Sequence, residues 1–168
     1  WVSGVEASHH APGTAYLSYT GYRHDDFRPF LYKTTDYGQT WTSIVGNLPN
    51  KAINVIREDP KNPNLLFVGA DFGLYASIDG GRTWTREPNR TGAPMYGVVD
   101  HGGETWALGV NGLVLKRAQR EWIPTAQGLP APWLRAGRSL GPTAMLVAGG
   151  AGTLQIVSTA SVASGAGN

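Results

Sequence analysis

The sequence predicts an all-β chain of about four β-propeller blades, each a four-stranded antiparallel sheet. Three observations predict it. The octapeptide Thr34 to Trp41 recurs as Ser77 to Trp84 at an offset of 43 residues, with Leu31-Tyr32 lying over Leu74-Tyr75 at the same offset. A weaker repeat, Val68-Gly69-Ala70-Asp71-Phe72-Gly73-Leu74, returns as Leu108-Gly109-Val110-Asn111-Gly112-Leu113 and again as Ala148-Gly149-Gly150-Ala151-Gly152-Thr153, each time about 40 residues on. With 23 Gly, 11 Pro and 41% hydrophobic residues, the 168-residue chain is rich in turns and still able to build a core.

The repeats divide the chain into units at 1–47, 48–91, 92–129 and 130–157, with Gly46-Asn47-Leu48-Pro49 and Gln127-Gly128-Leu129-Pro130 as linkers. Residues 158–168 are small throughout and read as a last-strand remnant or a flexible tail. The second unit is the clearest. It predicts an innermost strand at Ala52–Arg57, a turn over Glu58-Asp59-Pro60-Lys61-Asn62-Pro63, and strands at Leu65–Ala70, Leu74–Ile78 and Thr83–Glu87.

The octapeptides have a structural explanation that needs no catalysis. A short Asp side chain, Asp36 or Asp79, accepts hydrogen bonds from backbone N–H groups a few residues on, while Gly38 or Gly81 takes positive φ. Thr40 or Thr83 favours the strand that follows, and Trp41 or Trp84 lays a large ring against the neighbouring sheet. All eight residues are expected to hold blades together. The third unit keeps only the terminal Trp122, and the last keeps neither Asp nor Trp.

Composition narrows the function classes. A formal charge of +2 with scattered Lys and Arg argues against nucleic-acid binding. No apolar run approaches the roughly 20 residues that span a bilayer. The absence of Cys excludes a disulfide framework and a thiolate metal site, and leaves the redox compartment open. The chain opens at Trp1 without Met and without a signal-peptide pattern, so it reads as a processed product or an excised piece.

The two motifs Thr35-x-Asp36-x-Gly38-x-Thr40-Trp41 and Ser77-x-Asp79-x-Gly81-x-Thr83-Trp84 resemble the BNR or Asp-box repeat of sialidases, sortilin-type propellers and xyloglucan-cleaving glycosidases. More narrowly, Tyr22 to Gly38 with Val55-Ile56-Arg57-Glu58-Asp59-Pro60 resembles bacterial sortilin-like proteins, a likeness that covers residues 1–88. Residues 93–157, through Ala107 to Lys116, resemble blades of photosystem II stability and assembly factors more weakly. The change of repeat style is read either as divergence of blades or as a junction in a recombined or engineered chimera. The resemblance implies a non-catalytic binding or scaffolding module for protein, peptide or glycan ligands, without a cofactor, in an extracellular or periplasmic setting. The alternative it implies is a fragment of a sialidase-like or xyloglucanase-like glycosidase.

The segment Gly21 to Phe30 is where polar residues gather without a packing role, and it is expected to project as a loop. Arg23, Asp25, Asp26 and Arg28 are the candidate ligand residues, because paired arginines grip a carboxylate or a sugar. The competing reading is a loop whose charges satisfy one another. A glycosidase needs two carboxyl groups about 5–9.5 Å apart, for which Asp25, Asp26, Asp71 and Glu58 are available. His9 and His10 point to opposite faces of a strand, and His101 in Asp100-His101-Gly102-Gly103 reads as a solvated turn, so no metal site is expected. Trp1, Tyr96, Trp106 and Trp133 lie outside the octapeptides and are expected to pack, with Trp133 the readiest to sit at a surface. Most closed propellers of the repeat type it resembles carry more than four blades, so the resemblance implies self-association or further blades to close the ring.

Overall fold

A computed structural model describes residues 1–89, 91–125 and 128–159. Gln127 of the second linker and residues 160–168 of the predicted tail lie outside the described residues. Four antiparallel meanders follow one another along the chain. Sheet one holds β1 (Val2–Ala7), β2 (Ala15–Gly21), β3 (Asp26–Thr34) and β4 (Thr42–Ser43). Sheet two holds β5 (Ile53–Glu58), β6 (Leu66–Ala70), β7 (Gly73–Ser77) and β8 (Thr85–Glu87). Sheet three holds β9 (Met95–His101), β10 (Glu104–Gly109), β11 (Val114–Ala118) and β12 (Glu121–Pro124). Sheet four has three strands among the described residues, β13 (Leu134–Ser139), β14 (Ala144–Gly149) and β15 (Leu154–Ser158), where four were expected.

The core lies between sheets rather than within one, because each strand sends alternate side chains to opposite faces. Tyr16 and Leu31 of sheet one meet Ile53, Ile56, Leu66 and Val68 of sheet two. Phe67 and Leu74, from the other face of sheet two, meet Val98, Leu115 and Trp122 of sheet three. Trp106, Leu108 and Val114 meet Leu134, Met145 and Val147 of sheet four. The first strands β1, β5, β9 and β13 stand side by side in that order.

The 34–41 and 77–84 turns are built alike. Asp79 accepts from Thr83 N at 2.9 Å, from the Thr83 hydroxyl at 2.6 Å and from the Ser77 hydroxyl at 2.7 Å. Asp36 accepts the corresponding bonds from Thr40 N at 2.9 Å, the Thr40 hydroxyl at 2.5 Å and the Thr34 hydroxyl at 2.8 Å. Gly38 and Gly81 adopt φ of 85° and 95°, a region that disfavours any Cβ. The threonines therefore do more than favour a strand, since their hydroxyls close the turn.

The two tryptophans part company. Trp84 is 4% exposed, packs into the core between sheets one and two, and donates its ring N–H to the Ile44 carbonyl at 2.9 Å. Trp41 is 40% exposed and, among the described residues, its ring N–H bonds within its own turn, to the Gly38 carbonyl at 3.1 Å. The expectation that both rings pack on a neighbouring sheet is corrected for Trp41. The ring of one sheet lands on the sheet before it, and no described sheet precedes sheet one.

Those hydrogen bonds fix the pH response of the turns. The Thr40 hydroxyl, Thr40 N and the Thr34 hydroxyl hold the Asp36 carboxyl down at about 2, and the Thr83 and Ser77 groups depress Asp79 likewise. A carboxyl depressed by folding adds stability above its unfolded value near 4 and loses it as pH falls through the folded value. Denaturant midpoints are expected to drop between about pH 4 and about pH 2, and to drop less in Asp79→Asn. Parallel pH profiles for parent and variant would show that these turns do not drive the acid response.

Candidate functional site

All four sheets carry the same irregularity. Register shifts by one residue between Val2 and Gly4, Ile53 and Val55, Gly97 and Met95 (opposite Leu108 and Gly109), and Leu134 and Ala136. The residues inserted by these bulges are Ser3, Asn54, Tyr96 and Arg135. A bulge twists a strand and re-aims a side chain. Here it turns Asn54, Tyr96 and Arg135, from three of the four innermost strands, toward one place at the end where those strands begin.

A pocket of about 280 Å³ lies at that point, lined by Asn54, Tyr96 and Arg135 from three bulges, by Trp1, and by Tyr22 and Arg23 from the β2–β3 connection. The fourth bulge residue, Ser3, offers its carbonyl to Arg135 Nη2 at 3.3 Å and ties its hydroxyl to the Ile53 carbonyl at 2.8 Å. A smaller hollow of about 170 Å³, formed by Tyr96, Trp133 and Arg135, adjoins it. The site is thus assembled from residues more than a hundred positions apart in sequence.

Its electrostatics are divided. The Asp71 carboxylate accepts from the Tyr22 hydroxyl at 2.7 and 2.6 Å and from Asn54 Nδ2 at 3.0 Å, which fixes both pocket residues in place. Burial, and then the Asp71 carboxylate, push the Tyr22 hydroxyl well above its ordinary range, and burial raises Tyr96 too. Both phenols remain neutral hydrogen-bonding groups at ordinary pH. The Arg23 guanidinium stacks 4.7 Å from the Trp1 ring centroid. Among the described residues, neither Arg23 nor Arg135 has a carboxylate within ion-pair distance.

The structure separates the four sequence candidates. Arg23 reaches the pocket, whereas Arg28 and Asp26 satisfy each other through an ion pair of 2.6 Å and two bonds to Arg28 Nε. The Arg28 side chain and backbone hold the Asp26 carboxyl down at about 2. Asp25 sits in left-handed conformation at the end of a single turn of 3-10 helix, Tyr22–His24. The predicted loop is therefore short. Residues from Asp26 onward already belong to β3, whose pairing with β2 begins at Gly21 and Asp26.

Other expectations change as well. His101 is 2% exposed, with ring nitrogens against the hydroxyls of Ser139 and Thr159, rather than lying in a solvated turn. Glu58 is buried and accepts from Tyr16, Ser8 and the His9 backbone, which occupies it structurally. Asp100 is shielded by burial, which raises its pKa, while Glu104 pairs with Lys116 at 2.8 Å. Trp106 packs in the core and Trp133 lies at the surface, both as expected, whereas Trp1 is exposed rather than packed. Asn54 was missed in the sequence and Tyr96 was expected to pack, although aligning the starts of the innermost strands places Asn54, Tyr96 and Arg135 at one level.

No protein-family profile matches the chain. Four meanders with three intervening cores and first strands around one axis find close counterparts among solved propellers. An ancestral GH74 enzyme superposes with a TM-score of 0.67 at 18% identity, over 87% of this chain and 21% of that one. YCF48 bound to D1 peptide superposes with a TM-score of 0.53 at 17% identity, over 95% of this chain and 65% of that one. The fold is a β-propeller. A probable oligoxyloglucan-reducing end-specific xyloglucanase of Neosartorya fischeri is 38% identical over 72 residues, 39% of this chain and 8% of its own length. The propeller spans less than two thirds of each of these proteins.

Proposed function

We propose that this propeller is a non-catalytic binding module that takes a carboxylate-bearing segment of a protein, peptide or glycan ligand at its axis. The observation that carries the reading is the convergence of the bulge residues Asn54, Tyr96 and Arg135 with Arg23 and Trp1 on one open pocket. Two guanidinium groups there lack a carboxylate partner among the described residues, and aromatic faces flank them. Such groups bind a carboxylate through paired N–H donors and cover the adjoining apolar or sugar surface. That a structurally similar propeller, YCF48, is solved with a peptide supports the reading by analogy of fold alone.

The glycosidase alternative has less behind it. None of the residues lining the pocket is an Asp or Glu, and Asp71 at its margin is engaged by two donors. Most glycosidases place two carboxyl groups facing each other across the sugar, and this pocket offers no such pair.

An array of peptides with free and amidated C-termini, alongside neutral and uronic-acid glycans, tests the proposal. Ligands are expected among the free carboxylates, without turnover. Arg135→Lys is expected to weaken binding about tenfold, because an ammonium cannot reproduce the bidentate fork, and to leave the melting temperature unchanged. Arg28→Lys is expected to leave affinity unchanged. Equal binding of amidated and free termini, or turnover of any glycan, would overturn the proposal.

A further inference from the structure

We infer that the outer faces of sheets one and four are the two halves of a missing inter-sheet joint, which a second copy of this chain completes. The sheets share one register. Gly4 pairs Ser18 just after the bulge in sheet one, Val55 pairs Gly69 in sheet two, and Gly97 pairs Leu108 in sheet three, so the sheets align residue by residue. Counting from there, Val5 of sheet one occupies the place of Ile56 and Val98. Those two are 2% and 1% exposed in the cores, whereas Val5 is 66% exposed.

The same holds across the face. Leu17 occupies the place of Val68, Tyr32 the place of Tyr75, and Trp41 the place of Trp84, all of which pack toward the preceding sheet. Tyr19 stacks on Phe30 at 4.2 Å and on Tyr32 at 5.8 Å, extending this face as an aromatic strip. On sheet four, Leu154 and Ile156 occupy the places of Leu74 and Ala76, which are buried against the following sheet. They are 66% and 67% exposed.

Each face therefore has the composition and register of a core surface and lacks its cover. Apolar patches of this kind mark an interaction site. The occupant follows from continuity with the joints already present. What covers the outer face of sheet one in this series is a sheet presenting the outward face of sheet four, and the reverse holds at the other end. One chain carries both, so two copies related by a two-fold axis cover all four faces in a closed arrangement of eight sheets. Within one chain the only hydrogen bond between sheets one and four, among the described residues, is that from Arg135 to the Ser3 carbonyl. Admitting the second copy breaks that exposed contact and draws Arg135 away from Trp1 and Arg23, so the dimer and the intact axis pocket are alternative states of the chain.

Sedimentation velocity of the full chain tests the inference. The expected species has twice the 17.9 kDa chain mass. Ile156→Asp and Val5→Asp lie at exposed positions, so each is expected to keep the parent's circular dichroism and to raise the dimer dissociation constant at least about tenfold. Trp41→Ala is expected to act in the same direction. Mixing the Ile156→Asp and Val5→Asp chains leaves one undamaged joint and is expected to restore part of the dimer. A parent that stays monomeric would overturn the inference and point to sheets supplied by flanking sequence. A dimer indifferent to both substitutions, or open chains of many copies, would overturn it too.

Discussion

Trp84→Ala is expected to destabilise the protein by about 3–5 kcal/mol, whereas Trp41→Ala, the matching change one repeat earlier, is expected to cost the isolated chain far less. The contrast comes from what surrounds the rings. Trp84 fills the junction between sheets one and two beside Tyr16, Leu31 and Leu66, and truncation there leaves a cavity that a packed core fills only partly. Its backbone N–H and carbonyl are also bracketed by the Asn47 amide at 2.6 and 2.9 Å, so the linker after sheet one is stitched to the last strand of sheet two. Trp41 has neither support. Urea denaturation of the two variants under conditions that keep the chain monomeric checks the prediction. Equal midpoints for both would show that position in the repeat, rather than the presence of a preceding sheet, sets the contribution of the ring.

Arg117→Met is expected to cost about 3 kcal/mol or more, since it strips the counter-charge from a buried carboxylate. Glu87, at the end of β8 and 4% exposed, accepts from Arg117 Nε at 2.8 Å and from Arg117 Nη2 at 2.5 Å. The Trp122 ring N–H reaches it at 2.6 Å, and the guanidinium lies 4.8 Å from the Phe67 centroid. Sheets two and three are thus locked by one carboxylate, two cation-borne N–H groups and two rings. Removing one partner of such a pair costs more than the pair is worth, because the remaining charge stays buried. The double variant Arg117→Met, Glu87→Met is accordingly expected to recover part of the loss. If the single variant unfolds at the same denaturant concentration as the parent, Glu87 is better solvated than its surroundings indicate.

These two sites show which parts of the architecture are legible in sequence. The turns at 34–41 and 77–84 could be read because each is local: Asp, Gly and Thr within five residues satisfy one another, whatever lies beyond. The strands of the second unit could be read because Leu66 to Ala70 is an apolar run, and Ile53 to Glu58 carries the β-branched residues Ile53, Val55 and Ile56, each bounded by turn residues. The exposure of Trp41 could not, since it depends on a sheet outside the repeat. Nor could the Glu87, Arg117 and Trp122 cluster, whose members belong to different units.

The candidate site was legible only in part, and for the same reason. Local charge density singled out residues 23–28, yet density is also what lets Asp26 and Arg28 neutralise each other. Arg23 escapes that pairing because the 3-10 turn at Tyr22–His24 directs it over Trp1 toward the axis. Asn54, Tyr96 and Arg135 share no sequence motif. What they share is a bulge after the first residue of an innermost strand, a property of pairing rather than of composition.

The most direct test of the axis pocket is to locate a bound ligand by photo-cross-linking. A peptide selected from the array, with a photoreactive group next to its C-terminal carboxylate, is irradiated on the folded chain, and the adducts are mapped by mass spectrometry. The account predicts adducts on Trp1, Tyr96 and Trp133, competed away by unlabelled peptide. Adducts confined to β3, to the outer faces of sheets one and four, or to the 34–41 and 77–84 turns would contradict it.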